Sequence, residues 1–506
     1  MPNIYESVEV DRVRRSSFDM SFYRKFSCKM GQLVPIYLQE IYPKDEFFVS
    51  SEVMIRLAPM IAPLMHRVNV FVHYFFVPNR IVWSEWEDFI TGGEDGTLTP
   101  TFPEAGLNNA LAGNGSLADY LGVPDPVGDV GGILDVKFSR IPFRAYTKVY
   151  NDYYRDENVD PEIAIDPDVG VEIFNLRFRR WEKDYFTSAL PFAQRGDAVG
   201  IPVDFIYKTG SDVVGSADDV VAPLINDAND FLKAGTALAA QDARIENLET
   251  DGVSVDINEL RRSSAIQRWL ELSARGGARY IEIIKAHFDV TSDDARLQRA
   301  EYLGGGRQPI VISEVLNTSA TAGEPQGNMA GHGISVGTTN SFKKMFTEHG
   351  YVIGIMSVIP RTQYQQGIDR HWSRRERFDY MWPIFADLGE QEVKNKELYW
   401  NRSDGVAPNP DPPTDPEGIF GYQQRFADLR ENCSSVHGDF RAGLDFWHMG
   451  QIYDAPPALN SQFVSSANVT DRIFAVQDGT DTLWCQVFNL VGARRALPYF
   501  SKPELS

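Results

Sequence analysis

The stretch Glu52–Arg80, EVMIRLAPMIAPLMHRVNVFVHYFFVPNR, constrains the fold more than any other part of the chain. From His66 to Val77 it reads as one strand. Val68, Val70, Val72, Tyr74 and Phe76 form an almost wholly apolar face, and Arg67, Asn69, Phe71, His73, Phe75 and Val77 form a mixed one. β-Branched and aromatic residues dominate, and Pro78 stops the run because it has no N–H to give to a ladder. Twelve residues in extended conformation span about 40 Å, well beyond the usual strand of about five or six residues. Such a strand predicts a large β-sandwich. Val53–Leu57 alternates in the same way, with Pro59 and Pro63 punctuating the gap between the two runs.

Further strands are predicted at 32–41, 349–359, 472–476 and 483–490. Helices are predicted at 79–90, stopped by Gly92-Gly93, and at 142–156, with Pro142 near its start. A third begins at Asn258 as N-cap, turns Ile266, Trp269 and Leu270 inward, and ends at Gly276-Gly277. Helical character continues over 279–288, and Ser292 is placed to cap one more turn before Gly304–Gly306. Residues 92–132, 320–340, 404–417 and 455–457 read as loops rich in Gly, Pro or small polar residues.

With 43% apolar residues, including 31 Phe, 21 Tyr and 9 Trp, the chain has the means to build a packed core. It contains no apolar run of about 18 residues or more, so no transmembrane helix is predicted. The N-terminal MPNIYESVEVDRVRR lacks a signal-peptide pattern, and Cys28, Cys433 and Cys485 lack metal-ligand spacing. These features fit maturation in a reducing cytoplasm without a disulfide framework.

The net charge of −21 is uneven. Between Ile201 and Leu260 twelve acidic residues, among them Asp212, Asp218, Asp219, Asp227, Asp230 and Asp242, face three basic ones. The composition shift, the small residues and the near absence of aromatics mark 203–257 as an exposed insertion. Val213, Val214, Val220, Val221, Leu224 and Ile225 point to a small folded knob and not a linker. Conversely, residues 11–29 carry six basic groups (Arg12, Arg14, Arg15, Arg24, Lys25, Lys29) against two acids, interleaved with Phe18, Phe22, Tyr23 and Phe26. Such an arm suits phosphate neutralisation and base stacking, or packing on a neighbouring subunit with its charges solvated. Residues 174–186 interleave Arg177, Arg179, Arg180 and Lys183 with Phe178, Trp181, Tyr185 and Phe186, a pattern shared by single-strand binding surfaces and by core segments. In 361–378, Arg361, Arg370, Arg374, Arg375 and Arg377 lie among Tyr364, Trp372 and Phe378, suited either to nucleic acid or to subunit contacts.

Enzymatic motifs fail on context. Gly333-Ile334-Ser335-Val336-Gly337 matches the nucleophile elbow, but loop-like residues precede Ser335 and no helix pattern follows. Ser341–Lys344 and Lys208-Thr209-Gly210 match two β-lactamase elements in reversed order without the third. No H-E-x-x-H, C-x-x-C or P-loop pattern is present, and the eight histidines are isolated. No catalytic residue, cofactor or metal is predicted.

Several stretches together carry a resemblance. MHRVNVFVHYFFVPNRIVWSEWEDFITGG, RWEKDYFTSALPFAQRG, GGARYIEIIKAHFDVTSDDARLQRAEYLGGG, FTEHGYVIGIMSV, YQQGIDRHWSRRERFDYMWPIFADLGEQ and LDFWHMGQIYDAPPALN closely resemble, in the same order, the major capsid proteins of gokushovirus-type microviruses. The resemblance spans most of the chain outside 203–257. It implies an eight-stranded antiparallel jelly roll with long loop and helical insertions. It also implies a T=1 shell of sixty subunits, built from pentamers around circular single-stranded DNA in a bacterial cytoplasm. Small DNA-binding and pilot proteins and a host cell-surface receptor would be further partners, with no membrane insertion. The implied organisation is a basic arm over 1–31, a capsid core over 32–202 and 258–506, and a host-facing protrusion over 203–257. Under this resemblance Arg67, Asn69 and His73 are expected to face a subunit boundary or the shell interior and not a second sheet. A lectin-type jelly roll and a serine hydrolase centred on Ser335 are the alternatives from other classes; glycan binding by an isolated monomer, or an esterase activity lost in Ser335→Ala, would favour them.

Overall fold

The computed structural model describes residues 15–500 apart from 109–112, 124–132, 167–170, 198, 201–203, 208–212, 216–223, 227–231, 235–242, 246–249, 255–256, 278, 317–328, 339–340, 401–414 and 477–478. The chain divides into two compact units, 1–193 with 278–506, and 194–277.

The larger unit is mainly β, with antiparallel sheets and several helices. The strands of its two main sheets are β1 (Ser16–Asp19), β2 (Phe22–Cys28), β3 (Val34–Ile41), β4 (Glu46–Leu57), β5 (Val68–Pro78), β6 (Glu301–Pro309), β7 (Val311–Leu316), β8 (Met329–Thr338), β9 (Phe342–Met345), β10 (Gly350–Pro360) and β11 (Leu483–Arg495). A seven-stranded sheet runs β1-β11-β4-β8-β7, with β2 also on β11 and β9 also on β4. A four-stranded sheet runs β6-β5-β10-β3. The two sheets share one core. Val68, Val70, Val72, Tyr74 and Phe76 of β5 pack in it with Val49, Val53 and Ile55 of β4 and with Val487 and Val491 of β11.

Burial along β4 alternates strictly, as a sheet with one buried and one open face requires. Nearly all of β5 is buried, on both faces. The face bearing Phe75 and Val77 lies in a second core with the helix α1 (Ile141–Val149), through Ile141, Phe143, Ala145, Tyr146 and Val149. This corrects the expectation for the mixed face: Asn69 is buried, and His73 Nδ1 sits 2.8 Å from the hydroxyl of Tyr154 within the same unit. Arg67 alone of the three is exposed. A short polar chain ties the sheets together inside the shared core. Tyr74 donates to Ser51 Oγ (2.5 Å), Ser51 donates to Asn489 Oδ1 (2.5 Å), and Asn489 Nδ2 donates to the Ile36 carbonyl (3.1 Å). Each hydroxyl or amide so bonded escapes the cost of burial without a partner.

The structure departs from the sequence expectations at several places. The helix predicted over 79–90 is two short pieces, Asn79–Val82 and Trp86–Thr91, because Trp83 is extended and buried between them; Gly92 ends the second in left-handed conformation, as anticipated. The loop expected at 92–132 includes a strand over Glu104–Asn108 and a helix over Leu117–Leu121. The Gly304–Gly306 run lies inside β6, where Gly305 is pressed against β5: a Cβ there would stand 2.5 Å from the Val72 carbonyl oxygen. The turn expected after Ser292 forms over 294–298, but Glu301-Tyr302-Leu303 belongs to β6. The loop expected over 320–340 contains β8, whose small residues fit beneath neighbours; a Cβ on Gly333 would lie 2.7 Å from Leu57. Residues 472–476 form a turn with one bridge, Met60 to Phe474, and not a strand.

The smaller unit holds three antiparallel ladders, Asp204–Tyr207 with Thr250–Ser254, Val213–Gly215 with Ala243–Ile245, and Leu224–Asn226 with Leu232–Ala234. They nest one inside the next, the pattern of a single long hairpin with an interrupted ladder. Val213, Val214, Leu224 and Ile225 lie on these strands, whereas Val220 and Val221 lie outside the described residues. The unit also contains the helix Ile257–Gly276, so it extends beyond the expected 203–257 block. Ile266 and Trp269 are exposed on that helix and Leu270 is half-buried, which corrects their expected inward placement; the buried positions are Ser273 and Ala274.

Candidate functional site: charged clusters and exposed surfaces

The serine of the elbow motif lies in the middle of a strand. Ser335 is buried in β8, donates to the Pro309 carbonyl (3.0 Å) and accepts from Gln308 Nε2 (2.9 Å). A hydroxyl bonded on both sides in a regular ladder lacks the exposed, strained turn that the motif needs. Lys344 of the S-x-x-K match pairs with Glu301, and Lys208-Thr209-Gly210 lies outside the described residues. Among the described residues no cluster of His, Cys, Asp and Glu could hold a metal ion, and no helix is long and apolar enough to cross a membrane.

Of the N-terminal basic residues, Arg12 and Arg14 lie outside the described residues. Arg15 donates to the Lys44 carbonyl (2.5 Å) beside Glu46. Arg24 points inward and donates to the carbonyls of Pro35 (3.0 Å) and Tyr120 (2.7 Å), an internal clamp; burial lowers its pKa from the ordinary arginine range. Lys25, its neighbour on β2, is exposed. Thus the arm is not a free tail over 16–28: its alternation places it as two strands on β11.

The 174–186 segment resolves into structure. Trp181, Tyr185 and Phe186 are buried. Arg177 pairs with Glu172 (3.0 Å), Arg180 with Asp160 and Lys183 with Asp156 (2.5 Å), while the Arg179 guanidinium lies 3.8 Å from the centroid of the Phe71 ring.

The 361–378 cluster divides. Arg370 donates to Glu397 Oε1 (3.0 Å) and the Glu392 carbonyl (2.6 Å), and Arg374 pairs with Asp428, so both cations are neutralised within the unit. Arg375 and Arg377 are exposed, the latter stacked over Phe378 at 4.7 Å. Beyond them lies a feature that the sequence reading missed: an apolar strap over 372–388. Trp372 is 74% exposed and Ile384 81%, and Tyr380, Met381, Trp382 and Leu388 are exposed between them. Local bonds hold the strap in shape. Asp379 accepts from the backbone N–H groups of Glu376 (2.9 Å) and Arg375 (2.8 Å), which keep its carboxyl below the usual carboxylate range. Trp382 Nε1 donates to the Arg377 carbonyl (2.9 Å), and Phe378 packs edge-on against Phe385. Apolar runs this large and this exposed mark protein interaction surfaces. The available signal was the density of aromatic and aliphatic residues in FDYMWPIFADL, which has neither helical nor strand periodicity.

Next to the strap is a cavity of about 470 Å³ lined by Tyr185, Arg370, Trp372, Glu397, Asp428 and Cys433. Arg370 and Glu397 are paired within it (3.0 Å), and burial pushes the Cys433 thiol up to about 12, which leaves it protonated and unreactive. The acidic residues singled out in the insertion, Asp212, Asp218, Asp219, Asp227, Asp230 and Asp242, all lie outside the described residues.

Comparison with known proteins places these features in context. The model of the family described as capsid protein (F protein) matches residues 6–505. Capsid protein VP1 of Chlamydia phage 1 is 34% identical, covering 100% of this chain and 98% of its own length. Capsid protein VP1 of Bdellovibrio phage phiMH2K is 35% identical over 91% of this chain and 90% of its own. Capsid protein VP1 of Spiroplasma virus 4 is 31% identical over 94% and 92%.

Proposed function

The chain belongs to the capsid protein (F protein) family, in its gokushovirus-type branch, and on that premise we propose that it is the major subunit of a T=1 shell around a circular single-stranded DNA genome. Family membership makes it a structural, non-enzymatic component of a phage virion that assembles with copies of itself. The observation that carries the finer reading is the match along the whole chain combined with the strand order.

We read the two sheets as an eight-stranded jelly roll. One sheet contributes β1 with β2 as a single bent strand, then β11, β4 and β9; the other contributes β3, β10, β5 and β6. Successive strands of this frame alternate between the sheets except β5 and β6, which follow one another in the chain and pair in the same sheet, the pattern of a jelly roll. β7, β8 and the long connections are additions to that frame. The 372–388 strap and Arg375 and Arg377 serve subunit contacts, because closed shells need several heterologous interfaces per subunit and such interfaces are rich in Trp, Tyr, Met and Arg. The nested hairpin of the smaller unit, with its acidic block, is the host-facing protrusion. Pentamers are the assembly intermediates in the bacterial cytoplasm, with small DNA-binding and pilot proteins and a host receptor as further partners.

The test is native mass. Particles of about sixty times the 57.0 kDa chain, resistant to nuclease, are expected; a stable species of one to five chains under all conditions would refute the shell.

A further inference from the structure

We propose that the open face of the seven-stranded sheet is the surface on which the enclosed single-stranded nucleic acid lies. Its bases would stack on Tyr23, Trp484 and Phe488, and its phosphates would meet Lys25, Arg56 and Arg494. The inference rests on the shell reading above and assigns a location within it.

The face is built by alternation. On β4 every second residue faces the core and the others face out, and β11 and β2 follow the same period. Register then sets the outward residues side by side: Tyr23 opposite Phe488, Lys25 opposite Gln486, and Ser27 opposite Trp484, which is itself opposite Arg56. Tyr23 is 66% exposed and Trp484 50%. The Tyr23 and Phe488 rings are stacked at 4.5 Å between centroids with 30° between their planes, on the side of the sheet away from the core. Arg494 stands further along β11, opposite Ser17 and Glu46.

Charge distinguishes the occupant. Lys25, Arg56 and Arg494 are exposed and make no ion pair among the described residues. Of the acids on the same face, Glu46 pairs with Lys343 (3.2 Å) and stands near Arg15, whereas Asp19 accepts from Ser21 (2.6 Å) and keeps its charge. Glu52 is likewise an exposed carboxylate of this face. In a chain of net charge −21, this face therefore offers three unmatched cations against the two carboxylates of Asp19 and Glu52. A second copy meeting the face about a two-fold axis would set those cations against their own mates, which is unfavourable. A polyanion with stackable bases satisfies both the cations and the rings.

Ultraviolet cross-linking of purified DNA-containing particles, followed by peptide mapping, tests the assignment. Cross-links in 22–28 and 483–490 are expected. Cross-links confined to other segments would overturn the assignment and leave the shell reading standing, whereas wild-type particles without DNA would overturn the shell reading itself. A second arm titrates full-length protein with a 20-nucleotide oligo-dT. Paired Tyr23→Ala and Trp484→Ala should weaken binding at least about tenfold, from the loss of base stacking. Paired Lys25→Gln and Arg56→Gln should flatten the dependence on salt by about two in logarithmic slope at most. No binding by the wild type, unchanged affinity in both variants, or folded variants that fail to form shells would each overturn the proposal, the last by marking the face as a subunit contact.

Discussion

The imidazole Nδ1 of His73 lies 2.8 Å from the hydroxyl of Tyr154, joining the middle of β5, a strand buried on both faces, to the end of the helical segment that covers it. This contact explains how a strand with a polar mixed face is buried on both sides. His73 and Asn69 are enclosed by the chain's own insertions, and Arg179 adds to the enclosure by stacking over Phe71 and donating to Ser357 Oγ (3.0 Å).

Burial and the nearby charge of Arg179 lower the pKa of His73 to about 4, and burial lowers that of His66 to about 4. The unfolded chain takes up a proton at each site near the ordinary value of 6.5, and the folded chain does not until about 4, so stability is lost as pH falls from 6.5 towards 4. The loss is on the order of 3 kcal/mol for each site at most. Thermal melts of the purified protein at pH 7, 5.5 and 4.5 should show a falling midpoint, with a shallower fall in His66→Gln/His73→Gln. An equal slope in that variant would assign the acid sensitivity to other groups.

Arg144 is buried in α1, donates to the Val82 carbonyl (3.1 Å) and pairs with Asp166 (2.8 Å). Arg144→Met leaves Asp166 with its bond from the Ser84 N–H (2.8 Å) but without its cation, and should destabilise by about 3 kcal/mol. Arg144→Met/Asp166→Asn should recover part of that loss in denaturant titration. A single variant as stable as the wild type would show that the pair does not support the second core.

The apolar strap should govern association and not folding. Trp372→Ser/Ile384→Ser leaves buried positions untouched, so the melting midpoint should change little while particle yield falls steeply in sedimentation. Charge reversal of Arg375 and Arg377 to Glu should have the same effect. Normal particle yield with reduced DNA content would instead place this segment against nucleic acid.

Removing 203–257 and joining the ends with a short Gly/Ser linker should leave soluble subunits that still form particles, with attachment to host cells reduced at least tenfold. Insoluble protein would show that the hairpin is needed for folding of the larger unit.

What could be read in advance followed local periodicity. β5 announced itself through β-branched and aromatic residues and the terminating Pro78, and α1 through Pro142 and its aromatic face. What escaped depends on partners distant in the chain. The sequence MAGHGISVGT has no apolar period of its own and becomes β8 because β4 and β7 flank it. Ile473 and Phe474 resemble strand residues, yet a turn delivers them to the sandwich core. The basic clusters were visible as composition, but not whether each cation had a partner. Arg24 and Arg370 are engaged by groups far along the chain, while Lys25, one residue from Arg24, points the opposite way because strands alternate.

Electron microscopy of the purified full-length protein tests the central claim most directly. Closed icosahedral particles of one size, with density for nucleic acid inside them, are expected. Discrete single subunits under every condition, with no closed particles, would contradict it.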